Sequence, residues 1–335
     1  MTEFQTFPQL KEVFQDSFKV GAAVNEFVLR DRGTFIAEQF NSVTAENCMK
    51  FESLQPTEGV FDFAAGDQIV QFAKQNQMAV RGHTLVWHNQ TPEWVFRNGE
   101  QIVSKEQLLE RMQTHMETVL GHYQDDIRCW DVVNEAVDDK GNDILRKSKW
   151  LEILGDSFIE TAFRMAHAAN PKAELFYNDY NESSPEKSDK IYRMVRSLLE
   201  RDVPIHGIGL QCHWNLTSPS MDAIKAAIEK YASLGLRLHV TEMDVSVFDH
   251  EDKRTSLLMP TEAMLQQQAE RYEQFFQVFK SYQDVIDSVT FWGVDDSYTW
   301  LDDFPVRGRK NWPFVFDEKS QPKSSFWNII GNPTR

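Results

Sequence analysis

Only three cysteines, Cys48, Cys129 and Cys212, occur among 335 residues. They are too few and too scattered for a disulfide framework or a zinc site, and their odd number suits a reducing compartment, so a cytoplasmic location is expected. The sequence has no run of about eighteen apolar residues, which argues against a membrane-spanning helix. Met1-Thr2-Glu3-Phe4-Gln5 lacks the basic and apolar regions of a secretion signal. Basic side chains are outnumbered: 35 Lys and Arg stand against 51 Asp and Glu, for a formal net charge of −16. A surface of that sign repels phosphate backbones and anionic lipid, so neither nucleic acid nor a membrane is expected as a partner. Low-complexity stretches, Gly/Ser linkers and short-period repeats are also missing. What remains is 41% hydrophobic and 12% aromatic, ample for a large core.

The recurring unit is coarse: a short β-like run, then a longer segment with apolar residues at helical spacing. The β-like runs are Phe18 to Ala23, Phe40 to Ala45, Met78 to Thr84, Ile127 to Val133, Ala173 to Tyr177, His206 to Gln211, Leu236 to Thr241 and Asp287 to Trp292. The helical segments are Asp31 to Gln39, Ala65 to Gln75, Lys105 to Tyr123, Ile153 to Asn170, Glu186 to Arg201, Ser220 to Ser233, Thr261 to Ser281 and Ser324 to Ile330. Ser104 with Gln107 reads as a capping box, Asn170-Pro171 as a helix stop and Gly235 as the signal after the sixth helix. Such alternation gives parallel α/β folds. With no composition break, it predicts a single (β/α)8 TIM barrel over residues 1–335, with no linker or carbohydrate-binding module, rather than an open sheet with a second domain.

In such a barrel the chemistry sits at the C-terminal strand ends. Those ends read Glu46-Asn47 with Lys50, then His83 through Trp87, His88 and Gln90, then Asn134-Glu135. The later ends read Asn178-Asp179-Tyr180-Asn181, Gln211-Cys212-His213, Glu242-Met243-Asp244, and Trp292 with Asp295, Asp296 and Trp300. Either Glu135 or Glu242 alone would suit an ion-paired rim. Together, on strands facing each other across the mouth, they suit glycosidic bond cleavage, in which one carboxyl protonates the leaving oxygen and the other attacks carbon or activates water. Asn134 is placed to donate to a sugar 2-hydroxyl, and His213 and Asp244 to orient and ionise the attacking carboxylate. Trp87, Tyr180, Trp292 and Trp300 offer faces for sugar stacking, with Trp300 expected to be exposed toward a ligand. His83, His88 and His213 share the rim but lack the i, i+4 spacing of a zinc protease, and the amide, lysine and indole company suits hydroxyls, so no metal and no cofactor is expected. The acidic loops after strands seven and eight are unsuited to phosphate.

Trp130-Asp131-Val132-Val133-Asn134-Glu135-Ala136 and Leu238-His239-Val240-Thr241-Glu242-Met243-Asp244 resemble the two active-site signatures of glycoside hydrolase family 10, the endo-β-1,4-xylanases. The likeness extends through Thr44 to Lys50, His83 to His88, Tyr177 to Asn181, Gly209 to His213 and Phe291 to Asp296, in the family's order, and covers nearly the whole chain. It implies a retaining mechanism, with Glu135 as acid/base and Glu242 as nucleophile. It also implies donor-side sugar contacts from Glu46, Asn47, Lys50, His83, Trp87 and Gln90, and contacts around the reacting sugar from Asn134, Gln211, His213, Trp292 and Trp300. Tyr180 would line the leaving-group side. Phe51 stands where the family often has Trp, and Asn89 where Ser is more frequent. The chain resembles the family's intracellular branch, for which short imported xylo-oligosaccharides are the expected substrate. Acidic side groups on them would have Arg307-Gly308-Arg309-Lys310 as a candidate contact. Two other readings are a sugar-binding barrel without turnover, which predicts damage at Glu135 or Glu242, and a β-glucan hydrolase. Close contact by Glu46, Lys50 and Trp87 around the sugar's C5 would disfavour the latter.

Overall fold

A computed structural model describes residues 7–331, so the reading of the first five residues as lacking a secretion signal lies outside the described residues. Eight parallel strands form its centre: β1 (Lys19–Val24), β2 (Ser42–Ala45), β3 (Ala79–Val86), β4 (Cys129–Asn134), β5 (Glu174–Asp179), β6 (Gly207–Leu210), β7 (Arg237–Ser246) and β8 (Ile286–Phe291). They pair in chain order, and β8 pairs with β1 in the register Lys19↔Ser288, so the sheet is a closed barrel. The principal helices between the strands are α1 (Glu26–Gln39), α2 (Ala64–Gln75), α3 (Lys105–His122), α4 (Phe158–Ala169), α5 (Pro185–Leu199), α6 (Met221–Ala232) and α7 (Glu262–Ser281), with α8 (Ser324–Ile329) last. The TIM barrel expected from the alternation is the architecture found.

The deviations have local causes. Helix α1 begins five residues before the expected Asp31, because the Asn25 side chain accepts from Val28 N and caps it there. The segment Ile153 to Asn170 is two helices, Lys149–Leu154 and α4, parted at Gly155 with φ +77°. Ser104 accepts from Gln107 N at 3.2 Å, but the Gln107 side chain turns to Asn98, so only half of the capping box is made. Strand β7 runs five residues past the expected Thr241, so Glu242 and Asp244 lie within it and share one face.

The main apolar layer lies between sheet and helices, where the Phe276 ring meets Phe14, Phe18, Phe279 and Phe291. Inside the barrel, buried Arg81 forms an ion pair with Asp131 through two nitrogens. Two outward-facing strand positions are filled by one ring: a Cβ on Gly82 would lie 2.2 Å from the fully buried Trp130 indole. Gly82→Ala is therefore expected to destabilise the fold by about 1–3 kcal/mol through overpacking. An unchanged midpoint in urea unfolding would show that the indole has room to yield.

Candidate active site

The β7 extension carries Glu242 to the mouth, where it is 5% exposed. A carboxylate so enclosed needs partners, and three elements supply them. Asn178, at the end of β5, donates to Glu242 Oε1 at 2.7 Å, with its own oxygen fixed by the Thr241 hydroxyl at 2.7 Å. The short strand His213–Asn215 pairs with Asp244–Ser246, which brings the His213 ring between the two acids: Nδ1 lies 2.9 Å from Asp244 and Nε2 3.2 Å from Glu242 Oε2. His83, itself 3.0 Å from Asp131, lies 4.0 Å from Glu242 Oε1.

Burial by itself would raise the Glu242 pKa, but the His213 hydrogen bond and the His83 and His213 charges hold it below the ordinary value. Burial opposes the charge on His213 as well, yet Asp244 and Glu242 together lift it to about 10. The group is thus an ionised carboxylate held by an imidazolium at neutral pH, suited to attack on an electron-poor carbon.

Glu135 is different in kind. It is half-buried and its backbone is left-handed, with φ +56°. Its N–H donates to the Asn178 carbonyl at 2.9 Å. Its carboxyl accepts from Trp87 Nε1 at 2.9 Å and Gln211 Nε2 at 3.0 Å, both neutral donors. The neighbouring Asn134 amide lies 2.9 Å from Asn178 Nδ2 and 3.2 Å from Gln211 Nε2, so one amide chain joins the two acids.

The remaining expected residues fall into two groups. Lys50 is buried, donates to Asn47 at 2.9 Å and Gln90 at 2.8 Å, and lies 4.9 Å from the Trp87 ring centre. Glu46 is held by Asn25 at 3.0 Å and by the Tyr298 hydroxyl at 3.1 Å. The loop after β8 reaches across the mouth, with Trp292 edge-on to His83 at 5.3 Å. Trp300 donates to Asp244 Oδ2 at 2.8 Å and stacks on Phe304.

Several expectations change. Trp300 is half-buried and hydrogen-bonded rather than simply exposed, because Asp244 accepts from its indole. Asp295 and Asp296 do not point into the site: Asp295 pairs with Arg32 and Asp296 with Lys323, and both tie the loop to the barrel. The Tyr180 hydroxyl is occupied by Asp139 and Arg146. In the basic loop, Arg309 is buried against Phe248 and Lys310 binds Asp302, leaving Arg307 exposed, so the loop is no continuous charged face. Phe51 stacks on His115 in the core.

Residues that sequence reasoning gave no role include Asn178, Asp131, Asn25, Tyr298 and Arg146. Asn178 and Asp131 lay inside quoted motifs and were readable as polar positions within apolar strands. Asn25 carries a local signal as a helix cap, but its bond to Glu46, that of Tyr298 to Glu46 and that of Arg146 to Tyr180 join residues distant in the chain.

Paired carboxylates among amides, imidazoles and indoles at the mouth of a parallel barrel define a site of the glycoside-cleaving class. The family model for glycosyl hydrolase family 10 matches residues 9–332, and the chain belongs to that family. It is 57% identical over 325 residues to an endo-1,4-beta-xylanase B of Paenibacillus barcinonensis, covering 97% of this chain and 98% of that protein. It is 53% identical over 328 residues to an endo-1,4-beta-xylanase of Geobacillus stearothermophilus, covering 97% and 98% respectively. Among solved structures, a xylanase of Paenibacillus barcinonensis in complex with a conduramine derivative is similar, with a TM-score of 0.96 and 56% identity. That match covers 99% of this chain and 100% of the other.

The His213 shift has a consequence for stability. Its folded value, about 10, exceeds the ordinary 6.5, so its contribution is complete below about pH 6.5 and is lost as pH rises through 10. Glu242, shifted downward, contributes in the opposite sense and loses its share in acid. The Tm advantage of wild type over His213→Asn should therefore shrink between about pH 7 and 10. A constant difference across that range would mean that the imidazole is not held charged.

Proposed function

We propose that this protein is a retaining endo-β-1,4-xylanase, working as one catalytic barrel on short xylo-oligosaccharides. The observation that carries the reading is the contrast between the two acids. Glu242 is buried and charge-stabilised by His213, which suits a nucleophile, whereas Glu135 is half-buried and its carboxyl accepts only from neutral donors, which suits a proton donor. Family membership supports it, as do the endo-1,4-beta-xylanases to which the chain is similar.

In the first step Glu242 attacks the anomeric carbon while Glu135 protonates the departing glycosidic oxygen. This leaves a glycosyl ester on Glu242 and a free sugar hydroxyl. In the second step Glu135 removes a proton from water, the water oxygen attacks the same carbon, and Glu242 leaves as a carboxylate. Two inversions retain the configuration. Asn134 donates to the 2-hydroxyl of the reacting sugar, and Gln211 holds Glu135 in place between steps. Two carboxyls and water complete the cycle, so no cofactor is required. Glu46, Asn47, Lys50, His83, Trp87 and Gln90 bind the donor side, while Trp292 and Trp300 close over the reacting sugar and Tyr180 flanks the leaving group. Lys50 lies 4.9 Å from the Trp87 ring centre, and close contact by Glu46, Lys50 and Trp87 around the sugar's C5 would disfavour the hydroxymethyl group of glucose.

Three free thiols support a reducing, cytoplasmic setting, where polymeric xylan cannot enter and imported oligosaccharides are the available substrate. None of the described helices is long and apolar enough to cross a membrane.

Proton NMR of xylotetraose hydrolysis tests the reading directly. The β-anomer should appear before mutarotation; initial α-anomer would make Glu242 a base acting through water, and no turnover with bound sugar would favour a binding protein. Glu242→Ala should lower kcat by many orders of magnitude, and near-normal turnover would remove it as nucleophile. For Glu135→Ala, kcat/KM should fall far more on oligosaccharides than on activated aryl xylosides, since only the former need protonation. Equal losses would take the acid role away from it.

A further inference from the structure

Residues 135–148, between β4 and Lys149–Leu154, fold back on themselves. Val137 and Leu145 form an antiparallel bridge, and Arg146 N donates to the Ala136 carbonyl at 2.8 Å. Helix α5 fastens this segment with two buried lysines. Lys187 reaches Asp139 at 2.6 Å and Asp179 at 2.8 Å, and Lys190 donates to the Asp138 carbonyl at 3.1 Å. Arg146 joins this anchored segment to the catalytic mouth. Its Nε donates to the Glu135 carbonyl at 3.1 Å, while Nη2 donates to the Tyr180 hydroxyl at 2.6 Å and lies 3.4 Å from Asp139.

Glu135 is a residue with a Cβ held at φ +56°, a conformation that persists only when the surroundings over-determine it. Its N–H is fixed by Asn178 and its carboxyl by Trp87 and Gln211. A substrate that displaces Trp87 or Gln211 from the carboxyl leaves the backbone anchors alone to hold the left-handed turn. Arg146 supplies the anchor on the carbonyl side, and its planar fork fixes that carbonyl relative to Tyr180 on the leaving-group side.

We infer that Arg146 is a positioning residue for proton transfer: it holds the Glu135 turn in register with the leaving-group subsite by bridging the Glu135 carbonyl to Tyr180 and Asp139. The inference rests on the reading of Glu135 as acid/base. A side chain that merely stabilises the fold would, when lost, slow all substrates alike. A side chain that places the acid should matter in proportion to the substrate's need for a proton.

The test compares kcat/KM, which reports the first chemical step, on xylotetraose and on 2,4-dinitrophenyl β-xylobioside, whose leaving group departs without protonation. Arg146→Met should lose about 100-fold on xylotetraose and less than about threefold on the aryl substrate. Arg146→Lys, which keeps the charge but not the fork, should recover only part of the loss. Should Arg146→Met fail to fold, Asp139→Asn removes a partner of the guanidinium and should show the same selectivity at about tenfold. Equal losses on both substrates, or no loss on xylotetraose, would overturn the positioning role. Glu135→Ala measured alongside separates the two failures. If it too is insensitive to the leaving group, the acid assignment falls; if it is sensitive and Arg146→Met is not, only the role of Arg146 falls.

Discussion

A carboxylate can remain ionised at 5% exposure only if fixed charge and hydrogen bonds replace the water it has lost. That requirement at Glu242 organises the mouth of the barrel. It recruits Asn178 from β5, His213 from the segment after β6, and His83 from β3, each of which is held by a further group: Thr241, Asp244 and Asp131. Asp131 in turn needs Arg81 deeper in the barrel. The chain of dependence runs from the active carboxylate to the barrel interior, and breaking a buried pair in such a chain costs about 3–5 kcal/mol. The polar residues inside the barrel are therefore part of the site's electrostatics as much as of the fold.

The two acids differ because their environments differ. Glu242 lies within a long strand, beside an imidazole lifted to about 10 by two carboxylates, and so remains an anion. Glu135 sits one residue past β4 in a left-handed turn, reached by an indole and an amide with no formal charge on either. Identical side chains are thereby suited to opposite tasks, and the amide chain Gln211, Asn134 and Asn178 fixes their relative placement. The loop after β8 contributes at separated points: Trp292 against His83, Tyr298 on Glu46 and Trp300 on Asp244. Its own acids, Asp295 and Asp296, are spent on holding it down to Arg32 and Lys323.

Reading the sequence located the strands within a few residues because apolar runs of period two and helices of period 3.6 differ plainly. The largest error among the strands, the end of β7, arose where polar residues were taken to mark the end of a strand. Glu242 and Asp244 are polar because they face a site, and the backbone continues paired beneath them. Asp295 and Asp296 show the converse: acidic residues beside a site whose partners, Arg32 and Lys323, are far away in the chain. Tyr298 and Arg146 were missed for the same reason, since their importance is a matter of reach.

By itself the sequence determined the barrel, through eight alternating units, and the chemical class, through two glutamates placed after apolar strands among amides and indoles. Those are local properties, carried by residue type and spacing. Only the tertiary structure decided that Glu242 is the acid held as an anion, because that depends on burial and on neighbours brought from other strands. It also decided which polar side chains hold one another, since hydrogen bonds such as those from Arg146 to Tyr180 and from Tyr298 to Glu46 close between residues far apart in the chain and leave no periodic trace in it.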